Sequence, residues 1–167
     1  ADGSVTLAVG ESKTCEITND DIQPTLTLIK NVVNDNGGTL EVADFALDVS
    51  GTPTTSGAAL GVNAGAYSAG EETQFGYAAS SWSGDCAADG SVTLAVGENK
   101  TCEITNDDQP ADINGQKFND IDGDGIKDAG EPGLEGWTIN LAGTATAATT
   151  TDANGNYAFA GLSVGTY

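Results

Sequence analysis

ADGSVTLAVGENKTCEITNDD, residues 88–108, occurs twice in this chain. Residues 1–21 read ADGSVTLAVGESKTCEITNDD and depart from it only at Ser12, where the second copy has Asn99. Each copy runs into a Gln-Pro pair, Gln23-Pro24 and Gln109-Pro110, with Ile22 as one extra residue at the first junction. Such near-identity at a fixed spacing is the signature of a tandem array. Inside the motif Val5, Leu7 and Val9 alternate, Gly10-Glu11-Ser12 makes a turn, and Cys15-Glu16-Ile17 reads as a return strand. A β-hairpin is therefore expected over 1–21, with its twin closing a complete unit over 91–106. An isolated hairpin is barely stable in water, so the first copy is expected to dock on a domain or on a neighbouring molecule.

The repeat divides the chain. Residues 1–22 read as the C-terminal hairpin of a truncated unit, 23–108 as one complete unit, and 109–167 as the N-terminal part of a different unit. The junctions carry acids and proline, which predicts stiff joints rather than flexible tethers.

Composition narrows the function classes. Net charge is −20, with five lysines, no arginine and no histidine. Too few cations exist to neutralise phosphates, which excludes nucleic-acid partners and disfavours anionic membranes. No apolar span predicts membrane insertion. With 23 glycines and many threonine, valine and alanine residues, the chain reads as all-β. Cys86 and Cys102 flank the predicted closing hairpin, and a disulfide there would contribute ~3 kcal/mol. The rival reading, a metal site, lacks the histidines it needs. Cys15 is the first-copy counterpart of Cys102, and its mate is expected upstream of Ala1. Disulfides imply an extracellular or periplasmic setting.

In the complete unit, residues 25–33 read as a strand with Leu26, Leu28, Lys30 and Val32 on one face. Asn34-Asp35-Asn36-Gly37-Gly38 is a turn. Phe45, Leu47 and Val49 alternate with polar residues, and Phe75, Tyr77 and Trp82 are expected to supply aromatic bulk inside. About seven short strands in a unit of this size fit an immunoglobulin-like β-sandwich. In the last unit Trp137, Ile139 and Leu141 alternate, Asp152-Ala153-Asn154-Gly155 is a turn, and Tyr157-Ala158-Phe159 the next strand.

Three polar side chains fall on inward faces: Lys30 beside Leu28, Glu71 with Tyr67 and Ala69, and Asn106 with Cys102 and Ile104. A buried ammonium loses its proton readily and a buried carboxyl keeps its proton longer. A neutral lysine amine beside an asparagine amide and a glutamic acid can form a Lys–Asn isopeptide bond with release of ammonia. The alternative is an ordinary Lys–Glu pair with Asn106 as a polar cap. With these residues the unit resembles the prealbumin-like, Cna B-type (SpaA-like) domains of bacterial surface adhesins and pilins. That family implies a β-sandwich with a first-strand Lys, a Glu in a Tyr-x-x-x-Glu strand and a last-strand Asn; the matching positions are Lys30 in LTLIKNVV, Glu71 in YSAGE and Asn106 in CEITND. Glu72, directly after Glu71, leaves the glutamate open. Lys117 is a candidate donor in the last unit.

Asp120, Asp122, Asp124, Ile126, Asp128 and Glu131 fall at positions 1, 3, 5, 7, 9 and 12 of a loop with Gly125 at position 6, the spacing of a calcium loop. Ile126 would give its backbone carbonyl and Glu131 two oxygens. A strand rather than a helix follows, and the unit resembles the calcium-binding B-type repeats of serine–aspartate adhesins through KFNDIDGDGIKDAGEPGLEGWTINL and TDANGNYAF. The competing reading is a solvated acidic turn. Neither a histidine nor a nucleophile–base set argues for an enzyme acting on an external substrate. The expected function is a structural repeat of an extracellular, cell-surface fibre, stalk or adhesin, whose partners are neighbouring repeat domains or copies of itself. The alternative is a ligand- or carbohydrate-binding accessory module of a secreted enzyme.

Overall fold

The computed structural model describes residues 3–167, so the first two residues of the repeat, Ala1 and Asp2, lie outside it. Residues 25–108 form two facing sheets. One holds β1 (Thr25–Val33), β4 (Ala59–Gly61), β6 (Tyr77–Ala79), β7 (Ser83–Gly84) and β9 (Asn99–Asp108), in the order β4-β1-β9-β6 with β7 also on β9. The other holds β2 (Leu47–Val49), β3 (Thr52–Thr54), β5 (Gly65–Glu71) and β8 (Ser91–Leu94), in the order β3-β2-β5-β8. The prediction of an all-β sandwich holds, and β1 keeps the expected bounds.

Alternation places the core. Leu26 and Leu28 of β1, Val49 of β2, Leu94 of β8 and Cys102 and Ile104 of β9 are buried between the sheets. Fully burying each of these aliphatic side chains stabilises the unit by roughly 1.5–3 kcal/mol. β1 and β9, the first and last strands, lie side by side and parallel, Thr25 opposite Asn99 through Val33 opposite Asp107.

The closing segment corrects the hairpin prediction. β8 pairs with β5 while β9 pairs with β1, β6 and β7. The two arms thus belong to opposite sheets, and the segment is an arch across the core. Alternating apolar residues around a turn look the same for both arrangements; only the partners differ. This also explains residues 3–21, which form a turn at Val9-Gly10 but no ladder. An arch has no backbone ladder between its arms, so without two sheets to receive them the arms stay exposed.

The disulfide prediction is met: Cys86 joins Cys102 across a separation of 16 residues, and Cys15 is free and exposed. A loop of this size predicts a contribution of about 3 kcal/mol. Denaturant melts of the sandwich with and without reductant should differ by about that much; coincident melts would assign the bridge no stabilising role. One aromatic expectation fails: Phe75 is fully exposed on the loop before β6.

Residues 111–167 carry two antiparallel pairs, β10 (Ala111–Gln116) with β13 (Asn156–Leu162) and β11 (Thr138–Leu141) with β12 (Ala147–Thr150). The predicted 152–155 turn is present. Asp152 accepts the amides of Asn154 and Asn156, each at 2.8 Å, and Gly155 takes a positive φ of 79° that favours glycine. No helix among the described residues is long and apolar enough to cross a membrane.

Candidate functional site: a buried Lys–Glu–Asn triad and an acidic loop

Lys30 is the last fully buried residue of β1. Asn106 stands two residues on from its register partner Ile104, and Glu71 ends β5 on the facing sheet. The fold thus gathers three residues separated by up to 76 positions (106 − 30) into one buried point. The Lys30 and Glu71 side chains are 0% and 4% exposed, with Nζ 2.6 Å from Glu71 Oε2. Glu71 Oε1 accepts a hydrogen bond from Asn106 Nδ2 at 2.7 Å. One carboxyl therefore touches both the amine and the amide. Glu72 is exposed, so geometry selects Glu71.

The triad is under-satisfied. Lys30 Nζ and Glu71 Oε2 meet at an angle that makes no directed hydrogen bond, and Asn106 Oδ1 has no partner. Buried polar atoms without partners are rare, and three in one contact call for an explanation. Burial pulls the Lys30 amine below its ordinary value, opposed by the Glu71 carboxylate beside it. Phe45, which the sequence marked only as core, lies with its ring 4.1 Å from Nζ and closes the site, packed edge-on against Tyr77. Its strand pattern gave no sign of that position.

The last unit treats its lysine differently. Counting from the proline, Gln116 occupies the place of Lys30, and Lys117 falls one position beyond it. The Lys117 amine lies over the Trp137 ring at 4.6 Å.

The acidic loop is organised by its own backbone. Asp120 accepts the amides of Gly123 at 2.7 Å and Gly125 at 2.9 Å, and both glycines take positive φ, 77° and 80°. The Gly125 amide is the chief reason that the Asp120 carboxyl sits below its ordinary range. Glu131, buried, reaches back to the amides of Ile121 at 2.6 Å and Asp128 at 3.1 Å. Oxygens of Asp120, Asp122 and Glu131 lie within 4.8 Å of one another, as do those of Asp122, Asp124 and Asp128. The five predicted carboxylates thus converge in two triads sharing Asp122. The loop's lone lysine, Lys127, turns its amine to the carbonyls of Asp128 and Glu131. No salt bridge among the described residues offsets these acids. Concentrated carboxylates that no lysine pairs with fit a hard divalent ion with oxygen ligands.

Two family models match the chain. The model of the SdrD B-like domain matches residues 111–167, and that of the prealbumin-like fold domain matches residues 21–104. No curated protein and no solved structure matches the chain. The second match spans 84 of the 167 residues (104 − 20), and with the two-sheet sandwich around Lys30, Glu71 and Asn106 it establishes that the chain belongs to the prealbumin-like fold domain family.

Proposed function

We propose that this chain is a load-bearing repeat module of a long extracellular surface fibre, stalk or adhesin, each complete sandwich locked by a Lys30–Asn106 isopeptide bond. Residues 23–108 and 109–167 are consecutive units in this reading, and 1–22 the closing segment of another. Their partners are neighbouring units or further copies of the chain. Both matched families are structural domains of adhesins and pilins rather than enzymes, which supports a surface location and a mechanical role.

The observation that carries the proposal is the buried triad joining parallel first and last strands. In an array, tension enters at the start of β1 and leaves at the end of β9, so the two strands are pulled in shear. A bond from Lys30 to Asn106 would carry the load past every residue between them. In the reaction the neutral Lys30 amine attacks Asn106 Cγ. The new C–N bond forms, the bond to Nδ2 breaks, and ammonia leaves. Glu71, in contact with both groups, passes the lysine proton to the departing nitrogen. The product replaces the buried lysine amine with a neutral amide N–H beside the Glu71 carboxyl. Intact mass tests this directly: the folded chain should be lighter than its sequence by one ammonia, and a full mass would defeat the proposal.

The reaction also has a predicted pH dependence. The amine must be neutral to attack, and burial makes that form more accessible than in a free lysine. A chain joined from two synthetic fragments in denaturant, and then refolded, should cross-link faster at neutral pH than in mild acid. A time course by intact mass that is the same at both would show that deprotonation of Lys30 does not limit the step.

In the last unit, Asp120, Asp122, Asp124, Asp128 and Glu131, with the carbonyl of Ile126, would hold calcium. A bound ion supplies charge neutralisation and cross-links the loop. The chain's own part is the preset turn, in which glycine amides and Glu131 hold the carboxylates in place.

A further inference from the structure

Asp108, the last residue of β9, has a carboxylate that the triad does not use. It is 3% exposed. Oδ1 accepts the amide of Asp35 at 2.9 Å, and Oδ2 that of Gly38 at 2.5 Å. The Asn36 amide lies 3.0 Å from both oxygens. Asn36 Nδ2 in turn donates to the backbone carbonyl of Asp108 at 2.9 Å. The turn 34–38 is therefore wrapped around the end of the last strand. Glycine is required at 38, where a Cβ would strike the Tyr77 hydroxyl and the Asp108 side chain. Tyr77 fastens the far side of the turn: its hydroxyl donates to Asn34 Oδ1 at 2.5 Å and accepts the amide of Leu40 at 3.0 Å.

The same turn touches the next unit. Val164, in the loop after β13, donates its amide to the carbonyl of Asn36 at 2.8 Å, and a Cβ on Gly37 would lie 3.2 Å from the Val164 Cβ. Between them the linker is anchored as well, the Gln109 amide donating to the carbonyl of Gly76 at 2.8 Å.

We propose that turn 34–38, clamped by the Asp108 carboxylate, is the seat on which the following unit docks, so that the angle between units is set by this buried clamp and not by the proline linker alone. The clamp works only if the turn is rigid, and an ionised carboxylate collecting three amides makes it so. Burial disfavours the charge, but the amides of Asn36, Gly38 and Asp35 outweigh it and hold the carboxyl below its usual range. Its titratable neighbours are Asp35 and Asp107, whose oxygens approach it, and Tyr77 opposite in the ladder. The inference stands whether or not Lys30 and Asn106 are joined.

Residual dipolar couplings from the full chain, with and without Asp108→Asn, test it. In the parent the two units should share one alignment tensor. In the variant the tensors should differ in magnitude by about twofold or more, the behaviour of units free to reorient, while amides of β1 and β9 keep their protection. Val164→Pro, which removes the docking amide without touching the sandwich, should have the same effect, and decides the matter if Asp108→Asn does not fold. Separate tensors in the parent, or one shared tensor in the folded variants, would overturn the proposal.

Discussion

A chain carrying Glu71→Ala should come out at its full sequence mass, with no ammonia lost, and should unfold far more easily than the parent. Two effects add. First, the cross-link would be gone; closing a loop between residues 30 and 106 restricts the unfolded chain by an amount on the order of 4 kcal/mol in the chain-entropy account. Second, the Lys30 side chain is fully buried against Glu71, and breaking a buried pair by removing one partner costs about 3–5 kcal/mol. The contributions overlap, since the lysine can turn neutral, so a loss of roughly 4 kcal/mol or more is expected. Glu71→Gln keeps the shape and removes the carboxyl, and should fail to cross-link with a smaller loss. Intact mass and denaturant unfolding on the three proteins decide it. Ammonia loss that persists in Glu71→Ala would mean that Glu71 is not the proton relay, while full mass in the parent would remove the reaction altogether.

Calcium should raise the stability of the last unit, and a chelator should lower it. At an ion concentration 100-fold above the dissociation constant the linkage is worth about 2.7 kcal/mol, and extracellular modules of this ligand type bind at about 10⁻⁴–10⁻³ M. Asp122 belongs to both carboxylate triads, so Asp122→Ala should weaken binding more than Asp128→Ala, which touches one. Glu131→Ala should destabilise the unit even without the ion, because it strips partners from the amides of Ile121 and Asp128. Calorimetric titration with calcium, read beside thermal unfolding of each variant, checks all three. A titration without heat and without a shift in melting would leave the loop a solvated acidic turn.

Much of this site was legible in the sequence because it rests on periodicity and spacing. Alternation put Lys30, Glu71 and Asn106 on inward faces, and the one-in-two placement of Asp120, Asp122 and Asp124 marked the loop. What could not be read was each residue's partner. Phe45 over Lys30 and Asp108 within turn 34–38 join positions far apart in the chain, and nothing local at either end signals the other. Phe75, an aromatic that the strand pattern placed inside, is wholly exposed.

The repeat separates local from tertiary control, because one sequence occupies two environments. In both copies the tip makes the same contacts. Glu11 and Glu98 amides each bond the carbonyl three residues back at 3.1 Å, and Lys13 and Lys100 each reach a threonine carbonyl at 2.7 Å. Gly10 and Gly97 both take positive φ, 80° and 74°. These contacts span at most seven residues, so the chain makes them unaided. The arms differ completely. Leu94 and Ile104 are 1% and 4% exposed as parts of β8 and β9, whereas Leu7 and Ile17 are 57% and 89% exposed and form no strand. A turn closes its own hydrogen bonds, but the backbone ladders of an arch's arms form only with strands on two separate sheets. Sequence alone therefore set the turns, the faces and the acidic loop, while the tertiary sandwich decided which arms became strands and which polar groups met.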